Sequence, residues 1–463
     1  MLEERKENKS KKEKEKEAKD SIEMQKSTSI APLRSLTLDL PPSCIEFCPA
    51  HPDYFVVGTY NLQKEAEVSS LEEEEEQEND DDEEQQQKDT TATTSKPQNR
   101  NGSLVLFRLT DKSDISYVQT VPYPSAILDL HFHPGQDKNH VMAVVSSTGS
   151  LSFFCLSPLE NPSEPLKEIA THKPLGGDEG VLFLSCAWHS RLQNLIAVTT
   201  SSYEVHVLRV DDSWGVHETS SIPVITHTLE AWTVAFSPFI AAPTRDGDEM
   251  TAEEEASQTL TIFSGGDDSK LLATSCLFHA HREQDDGDDI DAPYPIVAFR
   301  GHEAGVTAIL PLPLQLTSNV RIVITGSYDD RLRVYSVQTQ EGGVVLQSPK
   351  LVAEENLGGG VWRLKLIRLD EASKVGTSDQ PRWAALILAS CMHAGSRILE
   401  VSGDYNGRWH VRVLGRFEEH KSMNYGSDFE PGSEQAGRAL RCVSTSFYDR
   451  LLCLWEGMPN SVN

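Results

Sequence analysis

An all-β chain closed into a seven-bladed propeller is what this sequence predicts, on three observations. Short apolar runs alternate with period two, as strands do, and helical periodicity is almost absent. The stretch from Arg321 to Ser336, RIVITGSYDDRLRVYS, reads as a strand, a tight turn bearing two aspartates, and a second strand with an aromatic near its end, Tyr335. Seven copies of this unit fall along the chain when it is aligned on Asp329. Such units occur in sets because one four-stranded blade cannot bury both of its faces alone.

The other six alignment points are Asn101 in QNRNGSLVLFRL, Thr148 in VVSSTGSLSFF, Ser202 in VTTSSYEVHVL, Asp268 in SGGDDSKLL, His393 in SCMHAGSRIL and Asp449 in TSFYDRLLCLW. Trp455 stands where Tyr335 does, and Gly301-His302 opens the repeat that Asp329 closes. These are marks of the WD40 repeat, here spaced more widely than its usual period of about 40–45 residues, which places the excess in loops.

Taken in order, residues 1–32 are Lys/Glu-rich and read as a disordered charged tail, and 33–457 as the propeller. Leu36, Leu38 and Leu40 alternate as a lone strand; residues 34–40 are expected to pair with the blade ending at Trp455 and close the ring. Blade one runs through CIEFCPAHPDYFVVGTY and resumes at SLVLFRL, interrupted by an acidic insertion over 61–100. Blades two to five are expected at 117–157, 165–210, 222–278 and 294–337. Blade six runs from LGGGVWRLKL to RILEV, and blade seven from HVRVLGRF to Trp455. Acidic loops are expected at 239–258 and 280–293, and a short tail at 458–463.

The chain of 463 residues carries a net charge of −29, and Glu72 to Glu84 alone holds 11 acids. Such a block repels itself and stays solvated; it is read as a disordered loop or as a lure for a basic partner. An acidic protein is a poor general nucleic-acid binder, because phosphate attraction needs basic surface. The eight cysteines include no CxxC pair, which points away from a zinc site or a thioredoxin-like motif and suits a reducing compartment. There is no apolar run of membrane-spanning length and no signal-peptide pattern, so the expectation is a cytoplasmic monomer without a membrane partner or a metal.

No GxSxG, HExxH, P-loop or GxGxxG pattern is present. What the repeat alignment offers is a set of aromatics at equivalent starts of inner strands: Trp232, Trp362 and Tyr425. They would border one mouth of the central channel, either lining a binding site or plugging the channel as core. His393 replaces the turn aspartate of its blade and could titrate near neutrality; it is either a locally bonded turn residue or a general acid–base group. Cys391, two residues away and expected to face the same side, is either a nucleophile or a buried thiol. Asp268, Asp329 and Asp449 read as structural turn acids, with His302 as the structural partner of Asp329.

The motifs TYNLQ, SAILDL, EAWTVAFSP, SGGDDSKL, ITGSYDDRLRVY, LGGGVWRLK, ASCMHAGSRIL, NYGSDF and STSFYDRLLCLW, in this order, resemble the WD40 family of diphthine methyl ester esterases in the diphthamide pathway. The resemblance covers about 35 to 456 and leaves out the tail and the acidic insertions. It implies hydrolysis of a methyl ester on the modified histidine of translation elongation factor 2, without a cofactor, and it carries over no catalytic triad. With that substrate, His393 could activate water, the backbone N–H groups of Gly358, Gly359 and Gly360 could receive the oxyanion, and Trp232, Trp362 and Tyr425 could hold a quaternary ammonium. The rival expectation is a non-catalytic adaptor for the elongation factor or a modification complex. A chromatin or ubiquitin-ligase substrate receptor has generic WD40 support alone.

Overall fold

The computed structural model describes residues 27–62, 100–110, 114–177, 180–242, 257–280, 288–317, 319–371, 381–404, 407–433 and 439–457. These form seven sheets, antiparallel but for one edge strand, arranged as the blades of a propeller, and apart from two short 3-10 turns the regular structure is β. The inner strands, in blade order, are Pro42–Phe47, Ile127–Phe132, Phe183–Trp188, Ala231–Phe236, Val306–Thr317, Arg363–Glu371 and Gly426–Phe429. Each touches the next around the ring, and the seventh returns to the first.

Packing explains why the strands read as apolar runs. Seven hydrophobic clusters fill the spaces between successive blades. In blade 5, Ile322 and Ile324 pack toward blade 6, whereas Val323 between them packs toward blade 4. The period of two is the strand's own, but both faces are buried, each against a different neighbouring blade. Each large side chain buried this way stabilises the fold by about 1.5–3 kcal/mol. Trp455 is fully buried and stacks on Phe417 at 5.0 Å across the interface of blades 6 and 7.

The repeat is out of phase with the blade. Ile115–Tyr123, expected to open the second blade, is the outer strand of the first, and Leu166–His172 is the outer strand of the second. Each sequence unit therefore begins one strand early, which links neighbouring blades covalently. The ring closes where the alternating leucines pointed: Pro32–Thr37 pairs antiparallel with Leu451–Gly457, Leu36 lying opposite Leu452.

The expected tail boundary at residue 32 is corrected. Thr28–Ile30 forms a strand of its own and pairs in parallel with the outer strand of blade 6, Trp409–Phe417. Gly415 makes room for it, since a Cβ there would lie 2.8 Å from Cδ1 of Ile30. The chain thus covers the outer edges of two blades in succession before entering the first. Ile290 and Asp291, expected within an acidic loop, pair with Phe278 and Leu277. The disorder expected for residues 1–26 and for most of the 61–100 insertion, and the short tail expected at 458–463, lie outside the described residues.

In every blade the entry to the inner strand and the turn between the second and third strands lie at one end, here the upper mouth. The other two connections lie at the lower mouth. Leu62 and Arg100, which flank the acidic insertion, pair with each other at the upper mouth.

Candidate functional site

The upper mouth carries an arc of aromatic rings. Trp362, just before the inner strand of blade 6, lies 5.8 Å from Trp232 of blade 4, 5.8 Å from Tyr328 of blade 5 and 4.9 Å from Tyr425 of blade 7, between ring centroids. The arc continues from Tyr425 to Phe447 at 5.6 Å, and from Phe447 to Tyr60 at 6.0 Å and to Tyr448 at 5.1 Å. Trp232, Tyr328, Trp362 and Tyr425 are half-buried, and Tyr448 is 70 % exposed. The structure therefore brings together the three rings singled out in the sequence and adds four. Tyr328, Phe447 and Tyr448 sit in the SYDD and SFYD turns, where an aromatic directly before the turn aspartate was a visible signal.

Polar groups hold the arc in place. The indole N–H of Trp232 donates to Asp267 at 3.1 Å. Burial pushes the phenols of Tyr328 and Tyr425 up, so both stay neutral hydroxyls.

The turn of blade 6 selects one of the two readings of Cys391 and corrects its expected side. Cys391 is fully buried in the cluster between blades 5 and 6, and burial pushes its thiol up to about 12. A thiol so placed is neutral near pH 7 and is no nucleophile. It does not share a side with His393, because strand alternation ends at Ser390: Ala394 N–H donates back to the Cys391 carbonyl at 2.7 Å, and Met392 takes a positive φ. His393 is exposed at the tip of this turn. Asn424 N–H donates to the Met392 carbonyl at 3.0 Å, which ties the His393 turn to the residue before Tyr425.

The glycines serve packing. A Cβ on Gly359 would lie 2.5 Å from the Cys391 carbonyl oxygen, and one on Gly360 2.5 Å from Sδ of Met392. The Gly358 N–H donates to the Asn356 side chain at 2.8 Å, which removes it as an oxyanion donor.

The turn aspartates hold their turns. Asp268 pairs with His227 at 3.0 Å, and Asp449 accepts from Ser422 at 2.6 Å. His302 bonds Thr325 at 2.9 Å rather than Asp329, whose carboxylate holds Arg333 at 2.8 Å.

Beneath the mouth lies a network that no motif announced. Arg363 reaches Asp129 at 3.0 Å, and Asp129 also accepts from Ser185 at 2.8 Å and from the Cys186 N–H at 3.2 Å. His131 lies 3.4 Å from Asp129 and 2.9 Å from Glu46. Lys365 lies 3.3 Å from Glu46 and 2.7 Å from Asp428, which also accepts the Phe47 N–H at 2.7 Å.

Burial opposes charge at each of these groups, and the neighbours outweigh it at most of them. Arg363 and His131 hold Asp129 far below the usual carboxylate range, and Lys365 and His131 hold Glu46 down. Asp129 and Glu46 push His131 up to about 10, so the ring is cationic at neutral pH. Asp428 is pushed up by burial and by the charge of Glu46, with which it shares Lys365. The sequence signal was a charge inside an apolar inner strand, at alternate positions in ILDLHF and WRLKL.

Among the described residues no group of three His, Cys, Asp or Glu is placed to hold a metal ion, and no helix is long and apolar enough to cross a membrane.

No family model matches the chain. It is 25 % identical over 410 residues to the mouse protein named diphthine methyltransferase, covering 86 % of this chain and 69 % of that one. It is 25 % identical over 440 residues to the Schizosaccharomyces pombe protein of the same name, covering 93 % and 98 %. A Dictyostelium discoideum homologue of that name is 26 % identical over 451 residues, covering 90 % and 97 %. Among solved structures, Chaetomium thermophilum Sqt1, bound to the N-terminus of ribosomal protein L10, superposes with a TM-score of 0.51 at 13 % identity, covering 93 % of this chain and 99 % of that one. At that identity the likeness speaks for the WD40 fold alone. The chain is thus a seven-bladed WD40 propeller, similar over most of its length to proteins named diphthine methyltransferase.

Proposed function

We propose that this protein acts in diphthamide biosynthesis, as a cytosolic monomer that hydrolyses the methyl ester of the diphthine intermediate on translation elongation factor 2. The observation that carries the reading is the arc at the upper mouth, where Trp362 is flanked by Trp232, Tyr328 and Tyr425 at 4.9–5.8 Å. The substrate bears a quaternary ammonium, and such a cation is favoured against aromatic faces. The long similarity to proteins named for diphthine and methyl chemistry supports the same substrate.

In the hydrolysis, a water oxygen bonds to the ester carbon as its proton passes to a base. The tetrahedral intermediate collapses, and the methoxy group leaves as methanol with a proton returned from that base. His393, exposed beside the arc, is the base in this reading. The N–H groups of Gly359 and Gly360 supply the oxyanion contacts. Cys391 takes no part, so water attacks directly. A second reading, a binding adaptor, is favoured by the burial of Cys391, which leaves His393 without a side-chain nucleophile among the candidates.

The test is a mass spectrum of the methylated elongation factor before and after incubation with this protein alone. Loss of about 14 Da, one CH₂, is the expected result. The name of the relatives implies the opposite direction, and a gain of the same mass on the unmethylated factor with a methyl donor would replace hydrolysis by methyl transfer. Binding without a mass change would favour the adaptor.

A further inference from the structure

The channel below the arc holds a cavity of about 300 Å³, open to solvent, between the inner strands of blades 2 to 6. Among the residues lining it, the charged side chains are His131 and Arg363. Their carboxylate partners stand behind them: the side chain of Asp129 is 2 % exposed and that of Glu46 15 %, against 23 % for Arg363 and 36 % for His131. A molecule in the cavity therefore meets cationic heads first, in a protein whose net charge is −29. The acids offset part of this charge and hold the cations in place.

We infer that the channel cavity binds a small organic carboxylate, with Arg363 as the group that contacts the anion. The guanidinium has five N–H donors; its Nη2 lies 3.0 Å from Oδ1 of Asp129, whose other oxygen accepts from Ser185 and Cys186, so donors remain for a two-point grip on a carboxylate. His131 acts differently. Its two ring nitrogens face Glu46 and Asp129, so it contributes positive charge to the wall rather than a hydrogen bond. The remaining wall is largely apolar, with Phe132, Val234, Ile309 and Leu364. A few polar groups in a mostly apolar pocket suit a small organic monoanion better than a fully hydrated inorganic one. Arg363 and Thr233 directly follow Trp362 and Trp232 in the chain, so the cavity begins where the aromatic arc ends.

This site stands apart from ester hydrolysis: either can fail without the other. The test uses protein labelled with 5-fluorotryptophan. Trp188 lines the cavity, and its indole N–H donates to the His131 carbonyl at 3.2 Å. Its fluorine resonance, assigned through Trp188→Phe, is followed while acetate replaces chloride at constant ionic strength. The expected result is a saturable shift of the Trp188 resonance, with affinity about tenfold or more weaker in Arg363→Gln. Since Arg363→Gln strands a buried carboxylate and can unfold, the double variant Arg363→Gln/Asp129→Asn removes both charges and should lose the shift as well. No saturable shift in the native protein overturns the inference, as does undiminished binding in either variant. Saturation by inorganic phosphate with acetate silent overturns the carboxylate assignment.

Discussion

Raising the pH should unload the channel network through His131. The ring's pKa rises from 6.5 to about 10 on folding, because Asp129 and Glu46 outweigh the cost of burial. A pKa raised in the folded state stabilises the fold fully below pH 6.5, and the contribution is lost between pH 6.5 and about 10. At about 1.36 kcal/mol per pKa unit the upper limit is near 5 kcal/mol. The ring is 36 % exposed to the channel, so screening by solvent reduces this to about 1–2 kcal/mol. The assay is urea unfolding, followed by tryptophan fluorescence, for the native protein and His131→Gln at a series of pH values. Buried cysteines such as Cys186, held protonated by the fold, weaken it at high pH in both proteins, so the difference between the two curves is the measured quantity. The advantage of the native protein should shrink by about 1–2 kcal/mol between pH 6.5 and 10. A difference that stays constant with pH would refute the ion-paired account of His131.

Cys391→Ala should leave methanol release within about twofold of native while costing about 1 kcal/mol or more of stability; abolished turnover would restore the thiol as a nucleophile. His393→Ala should slow turnover by about a hundredfold with little change in unfolding midpoint, and near-normal turnover would remove it as the base. Trp362→Ala should weaken binding of the methylated factor by about tenfold or more, measured by titration against the unmodified factor as control. Ile30→Asp should release the parallel strand on blade 6, read as faster hydrogen exchange at residues 28–30 while Arg34–Thr37 stays protected; unchanged exchange would contradict the pairing of Ile30 with Phe417.

Legibility followed the range of the interactions. The sequence by itself determined the fold class and the blade count, because period-two apolar runs joined by tight polar turns are local chemistry, repeated seven times, with Asp at the turn in three of the copies. It also announced the closing strand, since Leu36 and its neighbours alternate with no local partner. It marked Trp232, Trp362 and Tyr425 as equivalent, because a repeat alignment carries position around a ring. The tertiary structure alone decided what depends on the ring being closed. Asp129 and Arg363 are far apart in the chain and meet because the second and sixth inner strands face one channel. Cys391 and His393 are two residues apart, yet the chain turns between them and places one in the core and the other in solvent. Gly359 and Gly360 suggested a close backbone approach, and on their Cβ side it is the neighbouring turn, at Cys391 and Met392, that comes close. Local pattern specifies a strand and its turn; which charges share a channel, and which side chains reach the mouth, is set by the curvature that closes seven blades on themselves.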